Sequence, residues 1–304
     1  MLKELVILSG KGGTGKTSVS AAFAHLSSLS NNGHATVLVD ADVDASNLEL
    51  VLKPDVIEKN EFKSSSVAVV DQEKCRACGI CYDVCRFNAI DFGDGKYRID
   101  PIACEGCKSC VYQCPHKAIH MQRQLDGYWF HSQSRFGHLF HANLLPAMEN
   151  SGKLVTLVKQ QGRLFAREGD ARLIIVDGPP GIGCPVIAAA SGANLVLIIV
   201  EPTMSGMHDM QRALETVNHF GIKALVCINK SDVNPQGVRD IKDYCQKENV
   251  NIVGEVRFDK KVTEAMVNGE PVTAFDGQSS ASQDLLAVWQ QLEKRLFESS
   301  ITNE

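Results

Sequence analysis

The chain has 304 residues, 44% of them apolar, and a formal net charge of −5. This is the composition of one large or two modest globular domains. The mild acidity gives no reason to expect a nucleic-acid partner, and no apolar run approaches a membrane span, so no membrane partner is expected. The N-terminus runs straight into a strand-like segment with no signal-peptide pattern, and a cytoplasmic location is expected. Eight of the eleven cysteines fall between residues 75 and 114. Such crowding reads as metal ligation rather than as a disulfide framework.

The apolar run Leu5-Val6-Ile7-Leu8 is followed by Ser9-Gly10-Lys11-Gly12-Gly13-Thr14-Gly15-Lys16-Thr17 and then a helix-like run from Ser18 to Leu29. Strand, glycine loop and helix start together make G-x-x-x-x-G-K-T a phosphate site rather than a turn. Gly10, Gly12, Gly13 and Gly15 let successive N–H groups point inward, and Thr14 and Ser18 complete the loop. The helix start adds free N–H groups and partial positive charge. Lys16 would reach the β- and γ-phosphates, and the Thr17 hydroxyl would hold Mg²⁺. A turn is expected at Asn31-Asn32-Gly33-His34. Ala35 to Val39 then reads as a buried parallel strand ending in Asp40-Ala41-Asp42-Val43-Asp44, where ligands bind in an open α/β sheet.

Glu58 to Ser66 is polar and reads as a linker. Beyond it, Cys75-x2-Cys78-x2-Cys81-x3-Cys85 is repeated as Cys104-x2-Cys107-x2-Cys110-x3-Cys114-Pro115. This is the bacterial two-cluster ferredoxin pattern, in which the fourth cysteine of each run serves the other cube. One [4Fe-4S] cluster would take Cys75, Cys78, Cys81 and Cys114. The second would take Cys104, Cys107, Cys110 and Cys85. Structural zinc competes, and the doubled spacing argues against it. Ile80 and Val111 would help wall the cubes from water. Strands around Ala68-Val69-Val70 and Lys96-Tyr97-Arg98-Ile99 would pair within this module.

Residues 124–150 carry little pattern. Gly127-Tyr128-Trp129-Phe130 suggests a strand, and Arg135, His131, His138 and His141 read as polar surface rather than metal ligands. A helix is expected over 152–168. Leu173-Ile174-Ile175-Val176-Asp177 is a second buried strand ending in an acid, followed by Gly178-Pro179-Pro180-Gly181-Ile182-Gly183. Asp177 would hold Mg²⁺ through water, and Gly181 belongs to a mobile loop whose backbone can sense the γ-phosphate. Strands are expected over 194–200, 224–228 and 253–256, with a helix over 205–220 and an amphipathic last helix including Leu285, Trp289 and Leu296. Asn229-Lys230-Ser231-Asp232 matches the guanine-reading N-K-x-D pattern.

Lys11, with the two acidic strand ends and Glu201-Pro202-Thr203, makes the chain resemble the deviant Walker A ATPases of the MinD/Mrp/ParA family, in a form with an inserted ferredoxin domain. The resemblance implies an α/β P-loop NTPase of SIMIBI type. Its sheet would be mostly parallel with helices on both faces, and an α+β bacterial-type ferredoxin domain would be inserted. The parts would be residues 1–62 and 124–304 for the ATPase and 63–123 for the insert. It further implies a nucleotide-switched homodimer in which Lys11 reaches the partner's nucleotide and Asp42 orients the attacking water. Asn229 and Lys230 would then read adenine, with Phe258 and Asp259 beside the base, although Arg257 stands where the family usually has proline. Cys184 follows Asp177 by the offset of a cluster-binding cysteine in the nitrogenase iron protein, which makes it a candidate dimer-interface ligand. The implied cofactors are ATP, Mg²⁺ and two [4Fe-4S] clusters. The implied work is iron–sulfur or metal-cofactor assembly on an apo-metalloprotein client, or ATP-gated electron transfer to a redox partner. A positioning ATPase with structural or sensory clusters, or a GTPase, is the alternative.

Overall fold

The computed structural model describes residues 2–30 and 35–297, so the turn expected at Asn31–His34 lies outside the described residues. The chain forms two compact units. The first takes Met1–Asn60, Trp129–Asn143 and Ser151–Glu304, and the second takes Glu61–Tyr128 and Leu144–Asn150.

The chain begins with β1 (Lys3–Ser9), α1 (Lys16–Ser30), β2 (Thr36–Asp40), α2 (Leu48–Leu52) and β3 (Asp55–Phe62). The second unit contributes β4 (Ser66–Val70), α3 (Ile80–Asp83), β5 (Ile90–Gly93), β6 (Lys96–Ile99), α4 (Ser109–Gln113) and β7 (Ile119–Arg123). Two strands follow, β8 (Gly127–Ser134) and β9 (Gly137–Leu144), and then α5 (Ser151–Glu168). The rest alternates: β10 (Leu173–Pro180), α6 (Cys184–Ala190), β11 (Leu195–Val200), α7 (Met204–His219), β12 (Ala224–Asn229), α8 (Pro235–Lys247) and β13 (Asn251–Val256). Three helices close the chain, α9 (Lys260–Asn268), α10 (Val272–Phe275) and α11 (Ser280–Phe297).

The large sheet has the order β13-β12-β11-β1-β10-β2-β9-β8-β3. The pairings from β13 through β9 are parallel. Central strands such as Leu195–Val200 are buried along their whole length, which is why they read as unbroken apolar runs. Alternation along β1 shows two covered faces. Leu5 and Ile7 join a core with Phe23, Trp289 and Leu292 from α1 and α11, where the Phe23 and Trp289 rings sit 5.2 Å apart. Glu4 points the other way, to α5, where Lys159 Nζ lies 2.9 Å and Arg163 Nε 2.6 Å from its carboxylate. Lys159 is buried and also donates to the carbonyls of Ala189 and Ser191 at the end of α6. One ammonium thus ties β1, α5 and α6 together, with all three of its donors used.

The sheet continues beyond β2, further than the one strand suggested at Gly127–Phe130. The polar stretch read as a linker from Glu58 is in fact the end of β3. As an edge strand exposed along most of its length, β3 needs no apolar alternation, and so it looks like a linker. Residues 127–144 form two strands, with β9 pairing in parallel with β2 through Val37↔His138 and Val39↔Phe140. The second unit is also wider than the range 63–123 and includes residues 144–150.

The second unit holds two antiparallel pairs, β4 with β7 and β5 with β6. Its core is small: Ala68, Ile90 and Ile119 pack with the thiols of Cys81 and Cys110. Asp126 gathers its neck. The buried carboxylate accepts Ser64 N–H at 2.5 Å, Ser65 N–H at 2.8 Å and the Ser65 hydroxyl. Its backbone N–H bonds Phe62 O, and its carbonyl accepts Leu145 N–H. Burial would raise this carboxyl, but the donors on Ser65 and Ser64 outweigh it and hold the group below its ordinary range.

A depressed carboxyl contributes stability above its unfolded value, which is lost as pH falls through the folded one. Replacing Asp126 with alanine leaves buried donors unpaired and should destabilise the second unit by about 2–3 kcal/mol. Chemical denaturation of Asp126→Ala against the parent tests this. Parental stability should also fall as pH drops below about 4.

Candidate functional site

The carboxyl ends of β1, β2, β10 and β12 open on a cleft of about 800 Å³. Gly12, Gly13, Gly15, Lys16, Thr17 and Ser18 line one wall, with Asp42 and Asp44, while Asn229, Lys230, Phe258 and Asp259 line another. Gly15 has φ +93°, and an added Cβ would lie 2.5 Å from Asn229 Nδ2, so both the backbone and the space require glycine.

Lys16 is buried, and among the described residues its ammonium makes no ion pair. The Thr14 hydroxyl is also buried and has no hydrogen-bond partner. A buried cation and an orphaned hydroxyl in one glycine loop are the features an anionic ligand satisfies. Asp177 is buried at the end of β10, where it accepts the Ser20 hydroxyl at 2.9 Å and also the Thr17 hydroxyl. The two residues expected to hold Mg²⁺ are therefore hydrogen-bonded neighbours. Gly181 has φ +93°, and its N–H bonds Ser9 O at 3.0 Å, which ties its loop to β1.

Asp40 pairs in register with Asp177 across β2 and β10. Burial pushes both carboxyls up, and their mutual repulsion adds to it at Asp40. Asp40 accepts Ser46 Oγ at 2.8 Å, Leu48 N–H at 3.1 Å and Asp42 N–H at 3.0 Å. Burial raises Asp42 to about 6, with Asp177 and Asp44 adding to the rise and Lys16 opposing it.

Lys11 makes local contacts that the sequence did not signal. Its Nζ lies 3.2 Å from Ser205 Oγ and 3.8 Å from Glu201 Oε2, and Glu201 Oε1 lies 2.5 Å from Lys230 Nζ. On the far wall, Asn229 Nδ2 donates to Thr14 O at 2.8 Å, so this side chain braces the glycine loop. Asp232 Oδ1 accepts Phe258 N–H at 2.7 Å and is not part of the cleft lining. Arg257 makes a two-pronged bond to Asp284 of α11, which anchors the loop where a proline was expected. Asp259 borders the cleft, but its carboxylate caps α9 through Lys261 N–H and accepts Ser280 Oγ.

In the second unit, Cys75, Cys78, Cys81 and Cys114 line one cavity with Ile80 and Tyr97. Cys85, Cys104, Cys107 and Cys110 line another with Phe87 and Ile90. Backbone N–H groups face several sulfurs: Ala118 to Cys114 at 3.3 Å, Ala89 to Cys85 at 3.4 Å and Ala68 to Cys104 at 3.5 Å. Among the described residues no three His, Cys, Asp or Glu side chains converge as a single ion needs. Cys184 is exposed at the first position of α6. Cys227 and Cys245 are buried, and burial pushes their thiols up to about 12 and about 11. They behave as core residues.

The histidines are not polar surface. His131 and His141 are buried. His131 Nε2 lies 2.9 Å from His138 Nδ1, and its ring stacks on Phe140 at 4.5 Å. Burial lowers the pKa of both His131 and His138. Their flanking residues alternate on paired strands, and that pairing was hidden while β9 was unrecognised.

Comparison with known proteins agrees with this geometry. An uncharacterised protein of Methanocaldococcus jannaschii is 33% identical over 97% of this chain and 98% of its own length. An uncharacterised ferredoxin of the same organism is 42% identical over 55 residues, 17% of this chain and 71% of its own. The fold matches that of the septum site-determining protein MinD from Pyrococcus horikoshii, solved with Mg-ADP. That match has a TM-score of 0.59 at 16% identity and covers 98% of both chains. Residues 5–272 match the model of the CobQ/CobB/MinD/ParA nucleotide binding domain, and the chain belongs to that family.

Proposed function

We propose that this protein is an ATP-hydrolysing iron–sulfur protein, a nucleotide-switched homodimer. It would serve iron–sulfur or metal-cofactor assembly, or ATP-gated electron transfer. The observation that carries this reading is the sorting of the eight cysteines into two four-cysteine cavities, in a chain whose glycine loop holds a buried lysine with no ion pair among the described residues.

Each cavity takes three cysteines from one run and the fourth from the other, the sharing that a two-cluster ferredoxin requires. The local likeness to a ferredoxin supports the same assignment. Bound [4Fe-4S] groups would supply one-electron transfer. The N–H groups of Ala68, Ala89 and Ala118, aimed at sulfur, would favour the thiolate form of each ligand.

At the cleft, Lys16 and the loop N–H groups would bind the β- and γ-phosphates, with the Thr14 hydroxyl gaining its missing partner. Mg²⁺ held at Thr17 and Asp177 would offset the phosphate charge. Asp42, held beside Asp40 on the same loop, would orient the attacking water. Adenine is favoured over guanine because Asp232, the acid of the guanine-reading pattern, is turned to a backbone N–H. The Glu201 and Ser205 contacts would park Lys11 in the single chain, and nucleotide-driven pairing would release it to the partner's nucleotide. Exposed Cys184 is retained as a candidate ligand at that dimer interface. The fold likeness to MinD supports a second reading, a positioning ATPase whose clusters are structural or sensory.

Anaerobically purified protein should carry about eight irons, and Cys75→Ala or Cys104→Ala should each remove about four without changing nucleotide affinity. Iron and sulfide assays check this, and zinc in place of iron would overturn it. Lys16→Ala should lower ATP turnover about a hundredfold or more, and the parent should prefer ATP to GTP in the same phosphate-release assay. Glu201→Gln should let ATP drive dimer formation at about threefold lower protein concentration, as read by sedimentation.

A further inference from the structure

A chain of polar groups, buried at Asp40, His141 and Ser132, runs from the cleft into the β8–β9 strands. Asp40 binds Leu48 N–H and Ser46 Oγ, and so holds the start of α2. The next residue, Glu49, places Oε2 3.0 Å from Nδ1 of His141 on β9. His141 Nε2 lies 2.9 Å from Ser132 Oγ on β8, and Phe130 of β8 stacks on the imidazole at 4.9 Å.

The order acid, imidazole, hydroxyl is that of a nucleophilic triad. A hydrolytic role is excluded by burial: Ser132 is 0% exposed and His141 1%, so no substrate reaches the hydroxyl. Glu49 Oε2 lies beside His141 Nδ1 without the alignment of a directed hydrogen bond.

α2 lies between the cleft and β9, packed into the core through Leu48, Val51 and Leu52. It has five residues, and its N-cap Asn47 makes no side-chain cap bond. A helix this short has little stability of its own and is held by what grips it from outside. Asp40 grips its first turn, and His141 holds the residue after Leu48. Asp40 also accepts Asp42 N–H at 3.0 Å, so the Asp42 loop and the start of α2 share one carboxylate. At the other end, β8 begins and β9 ends with residues of the second unit, Gly127 and Leu144.

We propose that Glu49 and His141 link the nucleotide cleft to β8 and β9. The state of the Asp40–Asp42 loop is thereby passed to the strands through which the chain enters and leaves the cysteine-bearing unit. The link rests on the nucleotide reading above and adds its route. Glu49 and His141 act through α2 and are positioning residues that touch no phosphate.

The test is amide hydrogen exchange on the full chain, purified anaerobically, with Mg²⁺ and either ADP or a non-hydrolysable ATP analogue. Exchange over residues 127–144 should differ between the two nucleotides by about threefold or more in the parent. Glu49→Ala should lose that difference while residues 10–17 stay protected by either nucleotide. Glu49 is partly exposed, so Glu49→Ala empties no buried site and is expected to fold even if His141→Gln does not. Strands that ignore nucleotide in the parent, or a difference that survives Glu49→Ala, would overturn the link. No protection over residues 10–17 in the parent would instead remove the nucleotide reading, and the link with it.

Discussion

Two carboxylates, Asp40 and Asp177, end neighbouring parallel strands in direct register and are fully buried. Burial raises the cost of ionising both, and Asp177 adds to it at Asp40. The pair is tolerable because hydroxyls and N–H groups surround it and because Lys16 lies near enough to lower Asp177. The cleft is built around this charge imbalance. The Lys16 ammonium faces an acidic floor with no direct ion pair among the described residues, and a metal-bound polyphosphate would match both signs at once. The sheet order follows from the same constraint, since only parallel neighbours bring two strand ends and a glycine loop to one edge.

The second unit answers a different constraint. Its core is too small to hold a fold of about seventy residues firmly. Four cysteines line each of its two cavities, and Asp126 fastens its neck. Under the proposed function the ligands become the missing part of that core, so folding and loading of this unit are coupled. The first unit needs no such help. Its parallel strands are covered on both faces, and one buried lysine ties β1, α5 and α6.

Much of the central sheet was legible because buried parallel strands leave unbroken apolar runs, and because Gly10 to Thr17, Asp40 and Asp177 mark where those runs end. The cysteine runs were equally plain in the sequence, and the structure gathers the eight residues around two cavities, four at each. The edge of the sheet was not legible. β3 is exposed and polar, and β9 depends on a register with β2 that local sequence does not encode. That is why His131, His138 and His141 were misplaced. Asp126, Glu49 and Glu201 gave no signal for a related reason. A lone acid has no motif, and its importance comes from what distant segments bring to it. Asp259 shows the converse, a motif residue whose carboxylate is already used to cap a helix.

The central claim is that one chain joins a nucleotide clamp to a pair of iron–sulfur cubes and that the first governs the second. Electron paramagnetic resonance of the anaerobically reduced protein, recorded with and without MgATP, tests it most directly. The account predicts the spectrum of two interacting reduced [4Fe-4S] clusters, altered by MgATP and restored when the nucleotide is removed. A reduced protein with no cluster signal, or a cluster spectrum indifferent to MgATP, would contradict it.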